Sequence, residues 1–387
     1  MAGFSSSDDM LNQISTNAKF WRADWNKLMN PTAAAVAGEW HSLARGGGSP
    51  TADALFNTGT SLVQQQVFDI TTNAGTIQHG GNVGAEGDGY KVILNASAFS
   101  ASATTMPAVA MLVDILSFYR VTTATTTTAR TTINSDTFTA SSSSGLLLTY
   151  ANDWQNYSKV RFTTTTTLPT GLSLATDYWL VRVSATTARV ATSFANAIAG
   201  TVIAFTDAGT GTHTLTMRLP RYSTGAGVQA FFFNSNATAL GAGTPNLTLP
   251  SYTNAAGTAS RVTPALPNPP IGKTAATNSH ILYSGATGAG KMGPFLPLMS
   301  GDTGIASIQQ IQNSTSYVSG AYSVAMCKPL ITLPMTTIGV AGEREFISQL
   351  PSFPRVYDGA ALYWLLYSGA ATPANSAFYG HIDLGWS

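Results

Sequence analysis

Charge is what this sequence has least of. Its 387 residues carry 19 Lys+Arg and 18 Asp+Glu, 10% in all, against about 25% in an ordinary soluble domain. A net charge of +1 with no cluster of basic residues excludes electrostatic nucleic-acid binding, which needs a basic stripe to displace counterions. Cysteine is almost missing: Cys327 stands alone, so no intrachain disulfide framework exists. Long apolar runs are missing too. The longest candidate, Met106 to Tyr119, is interrupted by Asp114 and falls short of the ~20 residues of a spanning helix, so no membrane partner is expected. The first ten residues, MAGFSSSDDM, have no basic stretch leading into an apolar one, and no secretory signal is expected.

What is present is the material of a packed fold. Hydrophobic residues make up 44% and aromatics 10%, with 36 Gly and 18 Pro, which excludes a disordered polyelectrolyte. The length implies two or three domains of roughly 100–200 residues. Near-neutral copies barely repel one another, which favours assembly. Contacts made by Thr, Ser, Asn and backbone are little affected by salt.

Helix signals are few. In Asn17 to Ala44 the residues Phe20, Trp21, Trp25 and Leu28 fit one helical face. Pro31 interrupts it, and Ala33 to Leu43 reads as a second short helix. A further helix is expected over Ala341 to Leu350, with Glu343 and Glu345 in its first turn and Pro351 ending it. Elsewhere the period is two. Trp179, Val181 and Val183 alternate with Tyr178, Leu180 and Arg182. His213, Leu215, Met217 and Leu219 share a face, as do Phe378, Gly380, Ile382, Leu384 and Trp386, opposite Tyr379, His381 and Asp383. Threonine runs (Thr125 to Thr128, Thr163 to Thr167) favour extended chain. The expected class is mainly all-β, a β-sandwich or jelly-roll-like parent with short N-terminal helices. A Thr/Ala-rich block over 122–218 interrupts the composition and reads as a small β-domain inserted into a loop. The parent domain then comprises 46–121 plus 219–387, preceded by a helical arm over 1–45.

Within that block, LPTGLSLATDYWLVRVSATTARVATS (168–193) and FTDAGTGTHTLT (205–216) resemble an immunoglobulin-like β module found in bacteriophage structural proteins. The segments RADWNKLMNPTAAAVAGEWHSLARGG, MLVDILSFY, LPRYSTGAGVQAFFF, GPFLPLMSGDTGI and FYGHIDLGWS are similar to virion proteins of tailed phages. The resemblance implies a virion location, with assembly in the cytoplasm of a bacterial host.

Chemical motifs are weak. GATGAGK at Gly285 to Lys291 has P-loop spacing, but Met292 replaces the Ser/Thr that would hold Mg²⁺, and Gly293-Pro294 follows where a helix is required. His41, His79, His213, His280 and His381 are dispersed without metal-ligand spacing. Cys327 reads as a small buried hydrophobe. Glycan hydrolysis needs two close acids. Of the four Glu, Glu39 is isolated, Glu86 sits with Asp88 in a turn-like GAEGDGY, and Glu343 and Glu345 would diverge on a helix. Asp207 is expected to shape its hairpin by local hydrogen bonds.

The expectation is therefore a non-enzymatic particle protein with no cofactor, no metal and no catalytic residue. It would decorate or cement a capsid, or serve as a minor head protein, by binding the major capsid protein and copies of itself, with a weak surface glycan contact through 122–218. Candidate partner contacts are Phe20, Trp21, Trp25, Phe231, Phe233 and Trp386. Alternatives are a tail protein (tube, baseplate or fibre-linked), a host-receptor or glycan-binding module, and a depolymerase.

Overall fold

The computed structural model describes residues 4–29, 37–53, 64–66, 75–80, 90–101, 107–121, 133–141, 147–235, 238–241, 243, 245–266, 281–282, 293–348, 353–373 and 375–387. Strands make up 48% and helical turns 6%, so the chain is all-β. The order begins with α1 (Ser7–Ser15), β1 (Phe20–Leu28), β2 (Trp40–Ser42), a 3-10 turn (Leu43–Arg45), β3 (Gly48–Ser49), β4 (Gln64–Gln66), β5 (Lys91–Ser100) and β6 (Pro107–Val121). Next come β7 (Ser135–Ser141), β8 (Leu147–Tyr150), β9 (Lys159–Thr164), β10 (Asp177–Ser184), β11 (Thr187–Ala191), α2 (Phe194–Ile198) and β12 (His213–Met217). The chain continues through β13 (Gln229–Asn234), β14 (Leu247–Asn254), β15 (Ile281–Leu282), β16 (Ile305–Asn313) and β17 (Tyr322–Pro334). It ends with β18 (Gly342–Glu345), β19 (Arg355–Val356), β20 (Leu362–Ser368) and β21 (Ala377–Trp386).

Two antiparallel sheets form a sandwich. The first runs β18-β5-β21-β1-β3, with β19 also on β5; the second runs β15-β13-β17-β6-β20-β2, with β4 also on β6. Their facing side chains make one core: Ala23, Trp25, Ile93, Ala96, Ile382 and Leu384 from the first sheet, Leu112, Leu333, Leu362 and Trp364 from the second. Trp25 and Trp364 meet with ring centroids 5.3 Å apart. Gly380 makes room for Trp25, since a Cβ there would lie 2.0 Å from Ser97 O and 3.1 Å from the Trp25 ring.

Three segments expected as helix are strands. Phe20 to Leu28 pairs with β21 residue by residue, from Phe20↔Gly385 to Leu28↔Ala377, and Ala23, Trp25 and Lys27 alternate inward. The aromatics fit both a 3.6-residue and a two-residue period, and a partner strand from the far end of the chain decides between them. The expected helical arm over 1–45 is therefore corrected: its middle is a core strand. Likewise Trp40 to Ser42, expected as helix, pairs with β20. Gly342 to Glu345 pairs with β5, so Glu343 and Glu345 share a face instead of diverging. The N-terminal helix that does form, α1, lies inside the expected 1–45 arm but outside the Asn17 to Ala44 segment read as helical. Ser6 caps it by accepting from the Asp9 N–H, and Asp8 and Asp9 lie in its first turn. With Phe4, its Met10 and Ile14 cover Val92 and Leu94 on the outer face of the first sheet.

Residues 135–217 close a six-stranded antiparallel barrel, β10-β11-β8-β7-β12-β9. It is a closed barrel where the resemblance implied the two facing sheets of an immunoglobulin-like domain; β9 and β12 complete the ring by pairing with each other. Phe138, Phe162, Tyr178, Leu180, Val190 and Leu215 fill it, in a core continuous with Tyr119, Phe232 and Tyr322 of the sandwich and with the β14–β16 pair. Where barrel and sandwich join, Arg221 Nε and Nη2 donate to Asp114 at 2.9 and 2.6 Å, and Asp114 also accepts from Ala361 N. Both partners are buried. The P-loop-like segment 285–291, Glu86 with Asp88, and Thr125 to Thr128 lie outside the described residues.

Candidate functional site

Helix α1 covers only part of the first sheet, and no other helix or strand among the described residues covers the remainder of that outer face. The registers set its side chains in three rows. Arg22, Asp383, Asn95 and Glu345 form one; Asp24, His381, Ser97 and Glu343 the second; Asn26, Tyr379 and Phe99 the third. An open depression of about 710 Å³ lies along the second and third rows.

The rows are wired by hydrogen bonds. Arg22 grips Asp383 with Nε and Nη2, each at 2.7 Å. The Asn95 amide nitrogen lies 2.9 Å from Glu343 Oε1 and 3.3 Å from His381 Nε2. An amide nitrogen only donates, so Nε2 accepts and His381 carries its proton on Nδ1. That proton goes to Ser97 Oγ at 2.9 Å, which also accepts the His381 backbone N–H. The hydroxyl hydrogen of Ser97 is left over. Asn26 Oδ1 accepts from Ser49 N, and its NH₂ has no partner among the described residues. Asp24 Oδ1 and Oδ2 accept no hydrogen bond from a described residue, although the carboxylate lies near enough to raise the Arg22 pKa. Tyr379, 44% exposed, packs beside its cross-strand partner Phe99 with ring centroids 4.7 Å apart.

The other polar groups are mostly engaged in holding the fold. Glu345 accepts from Ser348 N and Oγ, and these bonds hold its carboxyl below the usual range. Asp207 accepts from Thr170 N and Oγ1 and Gly209 N, tying its hairpin to the Leu168–Leu172 turn; these bonds lower its pKa. His213 lines a second open depression, of about 730 Å³, against the barrel. Both its ring nitrogens are taken, by Thr164 Oγ1 and Ala208 O. Cys327 is buried, and burial pushes its thiol well up. Lys27 sits under the first sheet with Nζ 2.7 Å from Gly46 O, 3.0 Å from Pro50 O and 3.1 Å from Thr51 O. Burial lowers its pKa to about 8 against the opposing pull of Asp53. No group of three or more His, Cys, Asp or Glu placed to hold a metal occurs among the described residues.

Of the expected partner contacts, the structure separates two kinds. Trp25, Phe231 and Phe233 are buried within the chain and are withdrawn as contacts. Trp25 fills the sandwich core, and β13 sends Phe232 to one side against Tyr322 and Phe231 and Phe233 to the other. Phe20 and Trp21 are exposed by 39% and 46%, and Trp386 is half-buried. The open face joins residues the sequence reading did not single out. The alternation of β21 did set Tyr379, His381 and Asp383 together, but reading β1 as a helix hid Asp24 and Asn26, which face them. No family model matches the chain, and neither a curated protein nor a solved structure matches it.

Proposed function

We propose that this chain is a non-enzymatic structural protein of a tailed-bacteriophage particle, a capsid decoration or cement protein that binds the major capsid protein and copies of itself. One observation carries the reading: both margins of the first sheet present exposed apolar side chains. At the β18 margin Ile338, Val340 and Ile347 are 47%, 57% and 40% exposed. Towards the other margin β1 exposes Phe20, Trp21 and Leu28, and β3 pairs with it only at Asn26 and Lys27. Apolar side chains beside a strand edge invite another polypeptide. Different patches on opposite margins suit head-to-tail contacts, which close into rings when the rotation between copies allows it. A contact of about 1,200–2,000 Å² would hold each copy, and the low charge of the chain agrees with repeated packing in many copies.

The test is co-sedimentation of the purified chain with preformed capsids. The native chain is expected to saturate a fixed number of sites and to raise the temperature at which capsids rupture. Val340→Asp with Ile338→Asp is expected to lower the affinity by about 100-fold, the range of a lost interface anchor. Saturable binding to isolated tails instead of heads would favour the tail alternative, and no binding to either would reject the proposal.

A further inference from the structure

We propose that the open half of the first sheet is a binding site for a neutral saccharide, a role that stands whether or not the chain assembles on a capsid. A pyranose offers an apolar face of C–H groups, ringed by hydroxyls that both donate and accept. The groove offers the matching set. The Tyr379 ring is the exposed platform, held in place by the Phe99 ring beside it on the same face. Beside it Asp24 supplies two acceptor oxygens, while Ser97 O–H and the Asn26 NH₂ supply donors with no partner among the described residues.

The charge pattern narrows the ligand. Asp24 lines the groove, Glu343 ends the same row on the far side of His381 and Ser97, and the described lining contains no Lys or Arg. The nearest guanidinium, Arg22, is held by Asp383. An anionic ligand such as a phosphate or a uronic acid would meet repulsion with no compensating cation. A cationic ligand would satisfy Asp24 but would leave the Ser97 and Asn26 donors unpaired, which is unfavourable once water is excluded. A neutral polyol satisfies all three.

The site is also built before the ligand arrives. Asp24, Ser97 and Tyr379 stand on paired strands, and the Glu343–Asn95–His381–Ser97 chain fixes the Ser97 hydroxyl. Little side-chain freedom is lost on binding. The volume, about 710 Å³, falls in the ~300–1,000 Å³ span of small-ligand clefts.

The experiment is native gel electrophoresis of the full chain through four neutral polymers, dextran, laminarin, glycol chitin and galactomannan, followed by calorimetry with an oligomer of any polymer that retards it. At least one polymer is expected to retard the native chain. Tyr379→Ala and Asp24→Asn are each expected to weaken binding at least about tenfold, and Tyr379→Phe, which keeps the ring, to stay within about twofold. Circular dichroism melts of the three variants confirm that they fold; a misfolded Tyr379→Ala leaves Asp24→Asn to decide. Retardation by none of the four, retardation untouched by both Asp24→Asn and Tyr379→Ala, or binding of a lysine-rich peptide in place of every sugar would overturn the proposal.

Discussion

The barrel and the sandwich are both antiparallel β-structure, yet they find their partners over very different distances. Every ladder of the barrel joins strands within residues 135–217. In the sandwich, the first sheet pairs β1 with β21, and the bonded residues Arg22 and Asp383 stand 361 positions apart. Ionic groups are also placed differently. The barrel keeps Arg161–Asp177 and Arg182–Asp153 partly exposed and buries Lys159, whereas the sandwich leaves Arg22 half exposed and buries Lys27, Lys91 and a complete ion pair, Asp114 with Arg221. A closed local barrel has no edges to protect. An open sheet assembled from both ends of the chain keeps margins and a free face, and those are where partners and ligands can act.

That contrast can be broken by substitution. The largest effect is expected at the joint: Asp114→Ala leaves Arg221 buried without its carboxylate and should destabilise the whole chain by about 3–5 kcal/mol, read from urea unfolding. Phe162→Ala empties the barrel interior, with a loss of about 3–5 kcal/mol. Its amide exchange should accelerate in residues 135–217 and leave β1, β5 and β21 protected. Equal acceleration in both regions would show that they unfold as one unit.

Lys27→Met should remove about 2 kcal/mol by leaving buried carbonyls without a donor, and it carries a pH signature. The folded pKa, about 8, lies below the ordinary 10.5, so the unfolded chain binds the extra proton between them. The native Tm should therefore rise from pH 8 towards 10.5, and Lys27→Met should flatten this rise. The smallest effect is expected from Ser6→Ala, about 1 kcal/mol for a lost cap, seen as faster exchange in α1 and greater exposure of Val92 and Leu94.

The same contrast explains how much could be read from the sequence. The barrel strands β10 and β12 announce themselves, since Tyr178 and Leu180, and His213, Leu215 and Met217, alternate with outward residues on short, self-sufficient segments. The strand character of β21 was equally plain. What failed was β1. Phe20, Trp21, Trp25 and Leu28 satisfy a helical period as well as a strand period, and the strand that selects between them lies at the opposite end of the chain. The Glu343–Glu345 segment failed for the same reason, since β5 supplies its pairing. The open face was therefore half visible: Tyr379, His381 and Asp383 stood on one face of a readable strand, while Asp24 and Asn26 joined them only once β1 was extended. In the other direction, Ser6 with Asp8 and Asp9 is an N-cap signature that could have located α1.

The assembly claim is tested most directly by electron microscopy of intact particles whose copy of this chain carries a tag on the barrel. The account predicts tag density repeated at symmetry-related positions over the head, with the barrel outward and the margins of the first sheet against neighbouring subunits. Particles that contain no copy of the chain, or that carry the tag on an isolated enzyme-like appendage with both margins facing solvent, would contradict it.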